Sequence, residues 1–329
     1  MKVPGTIILS RPDGVGDSMV TLPMAGWIKA HSPSTRIIAV IKEYTRSVWA
    51  SCIHIDAVLT LEELRARDAA AQLRALNADA IIHVFPHREV AGWAKAAGIP
   101  LRVGTSHRWW HWTTCNARVA FSRKRSDLHE AQLNLKLLEP LGLPTTASMD
   151  RLAGCLGFTP PIPDATVERF LVPGKKHVLV HPFSMGSGVE WGLDRFTELI
   201  RTLDPTRYRA IITGTAMEAE RYRSELPMEL EHVADAGGAL TLAQLIALIG
   251  ASDAMVAAST GPLHIAAACG KRAIGLYAPV RPIHPGRWAP IGPDAHALTA
   301  DAVQGTADAQ KLIHAISPDR VIRLLDALP

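Results

Sequence analysis

Ala254-Met255-Val256-Ala257-Ala258-Ser259-Thr260-Gly261-Pro262-Leu263-His264-Ile265-Ala266-Ala267-Ala268-Cys269-Gly270 decides the fold. Ala254 to Ala258 is an unbroken apolar run, the pattern of a strand buried on both faces. Ser-Thr-Gly-Pro then breaks it and opens a helix of small residues that Gly270 closes. A strand, turn and helix in this order leaves backbone N–H groups unpaired at the helix start, where the helix dipole favours an anion such as phosphate. Two readings stay open here: a phosphate-binding turn, and a capped helix start that holds only water or a side chain.

Outward from this stretch, strands alternate with helices. His177–His181, Ala210–Thr213 and His232–Ala234 read as strands, with helices over 194–203 and 216–226 between them. Thr241 and Gln244 form a capping-box pattern before a helix whose Leu242, Leu245, Ile246 and Ile249 share one face. Ala273–Tyr277 is a further strand, followed by a Pro-rich loop over 279–288. The closing amphipathic segment carries Val321, Ile322, Leu324 and Leu325, and it has the character of a helix able to pack back on the first half.

The first half alternates in the same way: strand 6–9, a Gly-rich loop over 10–17, a helical segment through Ile28, strands 36–41 and 57–59, a helix over 61–76 and a strand over 80–85. This is the pattern of parallel sheets covered on both faces, so the chain reads as α/β with two Rossmann-like domains in tandem. They span about 1–160 and 175–329, joined by a Pro- and Gly-rich linker over about 160–175. Ligands of such sheets sit in the loops at the carboxyl ends of the strands. In the second half those loops hold Ser184, Gly186, Ser187, Gly214, Thr215, Ser259, Thr260, Gly261 and Pro262, whose backbone and hydroxyl groups suit a nucleotide.

In the first half, Gly14 and Gly16 resemble the start of a dinucleotide fingerprint, but Met19 stands where the third glycine belongs, which weakens a nicotinamide reading. The acids of that loop, Asp13 and Asp17, then carry more interest. Asp17 falls at or next to a helix N-cap, where accepting a backbone hydrogen bond is its plain structural role. Further on, Arg102, Arg108, Arg118, Arg123, Lys124 and Arg125 surround Trp109, Trp110 and Trp112, with no acid before Asp127. Exposed indoles beside arginines suit sugar rings and anionic groups. Solvated arginines around core tryptophans are the plainer reading of the same residues.

Composition limits the rest. A chain of 329 residues, 48% hydrophobic, has room for two cores, and a net charge of +4 is too modest to argue for nucleic acid. Four cysteines without a CxxC pair fit reduced thiols and argue against a zinc site. The N-terminal apolar run is short for a signal peptide, and no stretch is long enough to span a membrane. The expectation is a cytoplasmic protein that can touch a membrane surface.

Taken together, Asp13-Gly14-Val15-Gly16-Asp17 through Leu22-Pro23, His181-Pro182 with Trp191 and Phe196, and Ser259 through Ala268 resemble glycosyltransferase family 9, the lipopolysaccharide heptosyltransferases, in order and spacing along nearly the whole chain. The resemblance implies a GT-B fold, two Rossmann-like domains facing a central cleft. The acceptor would lie on the N-terminal lobe and an ADP-heptose donor on the C-terminal lobe, with inversion at the anomeric carbon and no metal or other cofactor. It implies that Asp17 is the general base. Thr260, Gly261 and His264 then match the diphosphate-binding turn, and the acceptor side falls to Asp13, Gly16, Arg102, Arg108, Trp109, Trp110 and Arg118. The partners implied are a nucleotide sugar and an acidic glycolipid at the inner membrane face, with no nucleic acid. The absence of any Asp-x-Asp pair agrees with a metal-independent site. Two positions depart from the pattern: Ser259 stands where relatives carry an aspartate, and Val189 where they carry a lysine. Arg281 or Arg287 could supply the missing charge. Other activities compatible with the same architecture are a nucleotide-sugar 2-epimerase, a family member that has lost transfer, and a non-catalytic two-lobed nucleotide-sugar binder.

Overall fold

The computed structural model describes residues 3–123, 125–184, 186, 188–300 and 308–329. The chain divides into two compact units, Met1–Thr159 and Pro160–Pro329.

The first unit contains β1 (Thr6–Ser10), β2 (Arg36–Ile41), β3 (Ala57–Thr60), β4 (Ala80–His83), β5 (Leu101–Thr105) and β6 (Ala117–Val119), in the spatial order β3-β2-β1-β4-β5-β6. Every pairing is parallel, with Ile8 opposite Ile38 on one side and Ile81 on the other. The second unit repeats this plan with β7 (Lys176–His181), β8 (Tyr208–Ile212), β9 (Val233–Asp235), β10 (Ala254–Ala258), β11 (Arg272–Tyr277) and β12 (Ala295–Thr299), ordered β12-β11-β10-β7-β8-β9 and again all parallel. Both sheets are doubly wound. Strand order reverses between β1 and β4 in one and between β7 and β10 in the other, and such switch points open crevices at the carboxyl ends of the strands.

The central strands are apolar at consecutive positions because helices cover both faces. In the first unit Ile8, Ile38, Val40 and Ile81 pack with Leu61, Leu64, Leu73 and Val90 of the covering helices. In the second, Val178, Val180 and Val256 pack with Phe196, Leu199 and Ile200 of the helix Leu193–Thr202. Trp191 closes that core. It meets Phe196 edge-on at 5.0 Å and donates its indole N–H to the Ile316 carbonyl at 3.0 Å. The helix Gly261–Ala268 is built of small residues because neighbours press closely on it. A Cβ on Gly292 would fall 2.0 Å from the Ala267 carbonyl oxygen, and one on Gly275 would fall 2.8 Å from the Leu263 side chain.

Several elements differ from the sequence expectation for local reasons. The helix over 61–76 is two, Leu61–Arg65 and Ala69–Ala75, because Asp68 accepts from the Ala71 N–H at 3.0 Å and starts the second. The helix Glu130–Leu135 runs on into the 3₁₀ helix Lys136–Leu141, which contains Pro140. The basic stretch after residue 100 holds β5 and β6, which are short and set Arg102 and Arg118 between their apolar positions. β12 carries little strand signal in the sequence, because Ala295–Thr299 is short and weakly apolar. The linker stretch contains a helical turn, Ala165–Glu168, capped by Asp164, which also accepts from Gln244 at 2.9 Å. The closing helix Pro318–Asp326 buries Val321 and Leu325 in the core of the second unit.

Candidate active site

In the first unit the site grows from the loop after β1. Arg11 follows that strand directly and is buried, at 3% exposure. Its guanidinium forks between two acids: Nε donates to Asp13 Oδ1 at 3.0 Å and Nη2 donates to Asp17 Oδ1, while Nη1 reaches the Val84 carbonyl at 3.4 Å. Val84 follows β4, so Arg11 ties together the two loops that flank the switch point. The Phe85 N–H, donating to the Ser10 carbonyl at 3.1 Å, ties them a second time.

Asp17 lies in the first turn of the helix Val15–Met19, whose cap is Gly14, and that helix has no side-chain cap hydrogen bond. The capping role expected of Asp17 is therefore not made, because the Arg11 ion pair takes its carboxylate. The helix is fixed from several sides. Ser18 Oγ donates to the Gly14 carbonyl at 2.9 Å and receives the Trp49 indole N–H at 3.0 Å, and Thr21 Oγ1 donates to the Asp17 carbonyl at 2.7 Å. The Gly16 carbonyl accepts from Val20 N–H at 3.1 Å, so Gly16 serves the helix itself.

The two acids differ in their surroundings. The Asp13 side chain is 15% exposed and that of Asp17 35%. Burial pushes Asp13 up to about 7; Arg11 pulls it down and the Asp17 charge adds to the rise. The hydroxyl of Tyr44 donates to the Asp13 carbonyl at 2.8 Å. Deeper in the unit, burial holds His83 neutral, down to about 3, with its ring 5.6 Å from that of His111.

The basic segment divides on inspection of its contacts. Arg102 points inward, donating to the Thr114 carbonyl at 2.8 Å and to the Ile99 carbonyl, so it fixes β5 to the following turn and is not offered to a ligand. Arg118 donates to the Cys115 carbonyl at 2.8 Å and stacks on Trp112 at 4.6 Å. Arg88 lies over Trp109 at 4.9 Å, and Arg108 over the half-buried Trp110 at 5.7 Å. Trp109 and Trp112 are 63% and 61% exposed, which makes them the ligand-accessible indoles. Arg123 pairs with Glu130 and donates to Asn134 Oδ1 at 3.2 Å, bracing the segment against the helix Glu130–Leu135. Lys124 lies outside the described residues.

In the second unit the switch point is flanked by the loops after β7 and β10. A Cβ on Gly188 would stand 3.0 Å from the Ser259 carbonyl oxygen, so the glycine lets these loops approach with little room to spare. Ser184 Oγ donates to the Gly188 carbonyl at 2.7 Å, and the Ser184 N–H donates to Glu190 at 3.1 Å. Gly186 has φ +81°, the left-handed turn expected of a glycine loop, while Ser187 and Met185 lie outside the described residues. Val189, where a lysine was expected, packs its side chain against the core.

Thr260 is the N-cap of Gly261–Ala268, with Pro262 in the first turn, yet its side chain makes no cap bond. Its hydroxyl is buried with no hydrogen-bond partner among the described residues, the residue being 4% exposed. An unpaired buried hydroxyl costs about 1–3 kcal/mol, which a ligand oxygen can offset. His264 lies buried in the same first turn. Ser259 hydrogen-bonds the Tyr277 phenol, which donates to the Trp288 carbonyl at 2.7 Å and links the loops after β10 and β11. Thr215 forms a capping box with Glu218: its N–H donates to Glu218 Oε2 at 2.7 Å, which also lies 3.2 Å from where a Cβ on Gly214 would stand, while Oε1 is buried with no hydrogen-bond partner among the described residues. Burial lowers the His181 pKa, opposed by the Glu218 charge and a bond with Thr213. Arg281 is exposed, and Arg287 lies over the Trp288 ring at 4.9 Å.

Arg11, Tyr44 and Tyr277 went unassigned in the sequence. Arg11 had one legible signal, an arginine at the carboxyl end of a strand two residues before an acid. The tyrosines had none, since their partners are backbone carbonyls set by the fold. Among the described residues, no three His, Cys, Asp or Glu side chains converge as a metal site, and no helix is long and apolar enough to cross a membrane.

Comparison with known proteins agrees with the two parallel doubly wound sheets. The chain is 26% identical to a putative glycosyltransferase of Haemophilus influenzae over 303 residues, covering 87% of this chain and 86% of that protein. Among solved structures it is similar to E. coli ADP-heptose lps heptosyltransferase II, with TM-score 0.76 and 20% identity over 98% of both chains. It is also similar to E. coli heptosyltransferase WaaC with ADP, with TM-score 0.71 and 14% identity over 98% of this chain and 99% of that one. The fold is thus GT-B, as the sequence led one to expect. The sequence model described as glycosyltransferase family 9 (heptosyltransferase) matches residues 66–313, and the chain belongs to that family.

Proposed function

We propose that this family member is an inverting heptosyltransferase that moves a heptose, or a related sugar, from an ADP-sugar to an acidic acceptor of the lipopolysaccharide-core type. The observation that carries the reading is the pair of acids after β1: one carboxylate is mostly buried, and the other, Asp17, is held in place with a third of its side chain open to solvent. Asp17 is the general base. It takes the proton of the acceptor hydroxyl as that oxygen bonds to the anomeric carbon from the face opposite the leaving group. The anomeric C–O bond to the diphosphate breaks, and ADP departs with the electron pair.

Charge developing on the diphosphate meets the backbone N–H groups at the start of Gly261–Ala268 and the unpaired Thr260 hydroxyl. Ser184, Gly186, Gly214, Thr215, Ser259, Pro262, His264 and Arg281 complete the proposed donor site, without a metal ion. ADP as nucleotide is supported by the WaaC structure, which is described with ADP. On the acceptor side, Arg108, Trp109 and Arg118 present the charge and ring surface, and the same patch meets the inner face of the cytoplasmic membrane from a cytoplasmic location. Mass spectrometry of ADP-, GDP- and UDP-sugars with heptose-deficient lipopolysaccharide tests this. Heptose transfer from ADP-heptose is expected, abolished in Asp17→Asn with ADP-heptose binding retained. Full turnover in Asp17→Asn would refute the base, and transfer from UDP- or GDP-sugars alone would refute the donor.

A further inference from the structure

The buried guanidinium of Arg11 serves two carboxylates at once, an arrangement beyond what a single catalytic base requires. We propose that Arg11 is a positioning residue for Asp17, and that Asp13, sharing the same guanidinium, governs by its protonation how firmly Asp17 is held and so how readily it accepts a proton. The proposal rests on Asp17 being the base.

The geometry supports a division of one charge. Arg11 Nε is 3.0 Å from Asp13, Nη2 bonds Asp17, and Nη1 is anchored on the Val84 carbonyl, so the fork stays in place whichever acid carries the charge. A planar guanidinium can hold two carboxylates in fixed directions, which an ammonium cannot. The groups facing Asp13 are Arg11 from the end of β1, Asp17 from the following helix, Tyr44 from the 3₁₀ turn Glu43–Thr45, and the more distant charge of Arg123. When Asp13 is neutral, Arg11 is committed to Asp17 and stabilises it as the carboxylate. When Asp13 ionises, the guanidinium is shared and a second negative charge lies close by. Both changes favour Asp17 taking up a proton. Burial places that ionisation at about 7, so turnover should rise with pH across neutrality.

Carboxyl-carbon NMR of aspartate-labelled protein reads the coupling without a substrate, and kcat against pH with ADP-heptose and heptose-deficient lipopolysaccharide reads its consequence. In the wild type, the Asp17 resonance is expected to move in step with the Asp13 titration, and kcat to rise about threefold through it. Asp13→Asn should remove both steps while the chain stays folded. Arg11→Lys should lower kcat about tenfold with the KM for donor unchanged. An Asp17 resonance indifferent to Asp13, or a wild-type pH profile in Asp13→Asn, overturns the proposal and leaves the base intact. Turnover in Asp17→Asn overturns the base, and this proposal with it.

Discussion

Replacing Asp13 by Asn should change how the stability of the first unit depends on pH. The unfolded Asp13 carboxyl ionises near 3.8, while burial in the folded chain, outweighing the Arg11 ion pair, raises it to about 7. Between those values the native state holds a proton that the unfolded state has released. The neutral carboxyl therefore contributes stability that is full below pH 3.8 and is lost as pH rises through 7. The slope is about 1.4 kcal/mol per pH unit, which over this window sums to roughly 4 kcal/mol. Asn is neutral throughout and lacks the slope. Urea denaturation followed by tryptophan fluorescence is the assay, since six of the eight tryptophans lie in the first unit. The stability of Asp13→Asn relative to wild type should climb steadily from pH 4 to 7 and level off above it. A difference that stays flat across that range would show that Arg11 outweighs burial, and would refute the reasoning.

Thr260→Val keeps the extended backbone and volume but removes the unpaired hydroxyl. Stability is expected to rise by about 1 kcal/mol while ADP affinity falls, read by thermal denaturation and calorimetry; a destabilised variant would mean that the hydroxyl has a partner. Arg281→Ala and Arg287→Ala test the replacement of the cation missing at Val189, and unchanged donor affinity in both would exclude it. Arg108→Ala should weaken acceptor binding, as should added salt, by losing an exposed charge near the indoles; insensitivity to both would remove the patch from the acceptor site. Gly26→Ala should destabilise by about 2 kcal/mol despite a better helix former, because its Cβ would stand 2.0 Å from the Cys155 carbonyl oxygen.

The alternation of apolar runs with amphipathic segments determined the class of fold, since strands such as Ala254–Ala258 can be apolar throughout only if helices cover both faces. The Ser259–Pro262 break and the acids at 13 and 17 were legible for the same local reason: turn chemistry and helix starts are set by neighbouring residues. Strand order was not. That β1 lies beside β4 and β7 beside β10, and so which loops border each switch point, depends on pairings between residues some seventy positions apart. Only the tertiary structure showed that Arg102 is turned inward while Trp109 and Trp112 face solvent, because exposure is a property of the packed unit rather than of the residue type. It also changed the standing of Asp17. In sequence it was an acid near a helix start, whereas in the fold it shares a buried guanidinium with Asp13, and burial sets the two acids apart.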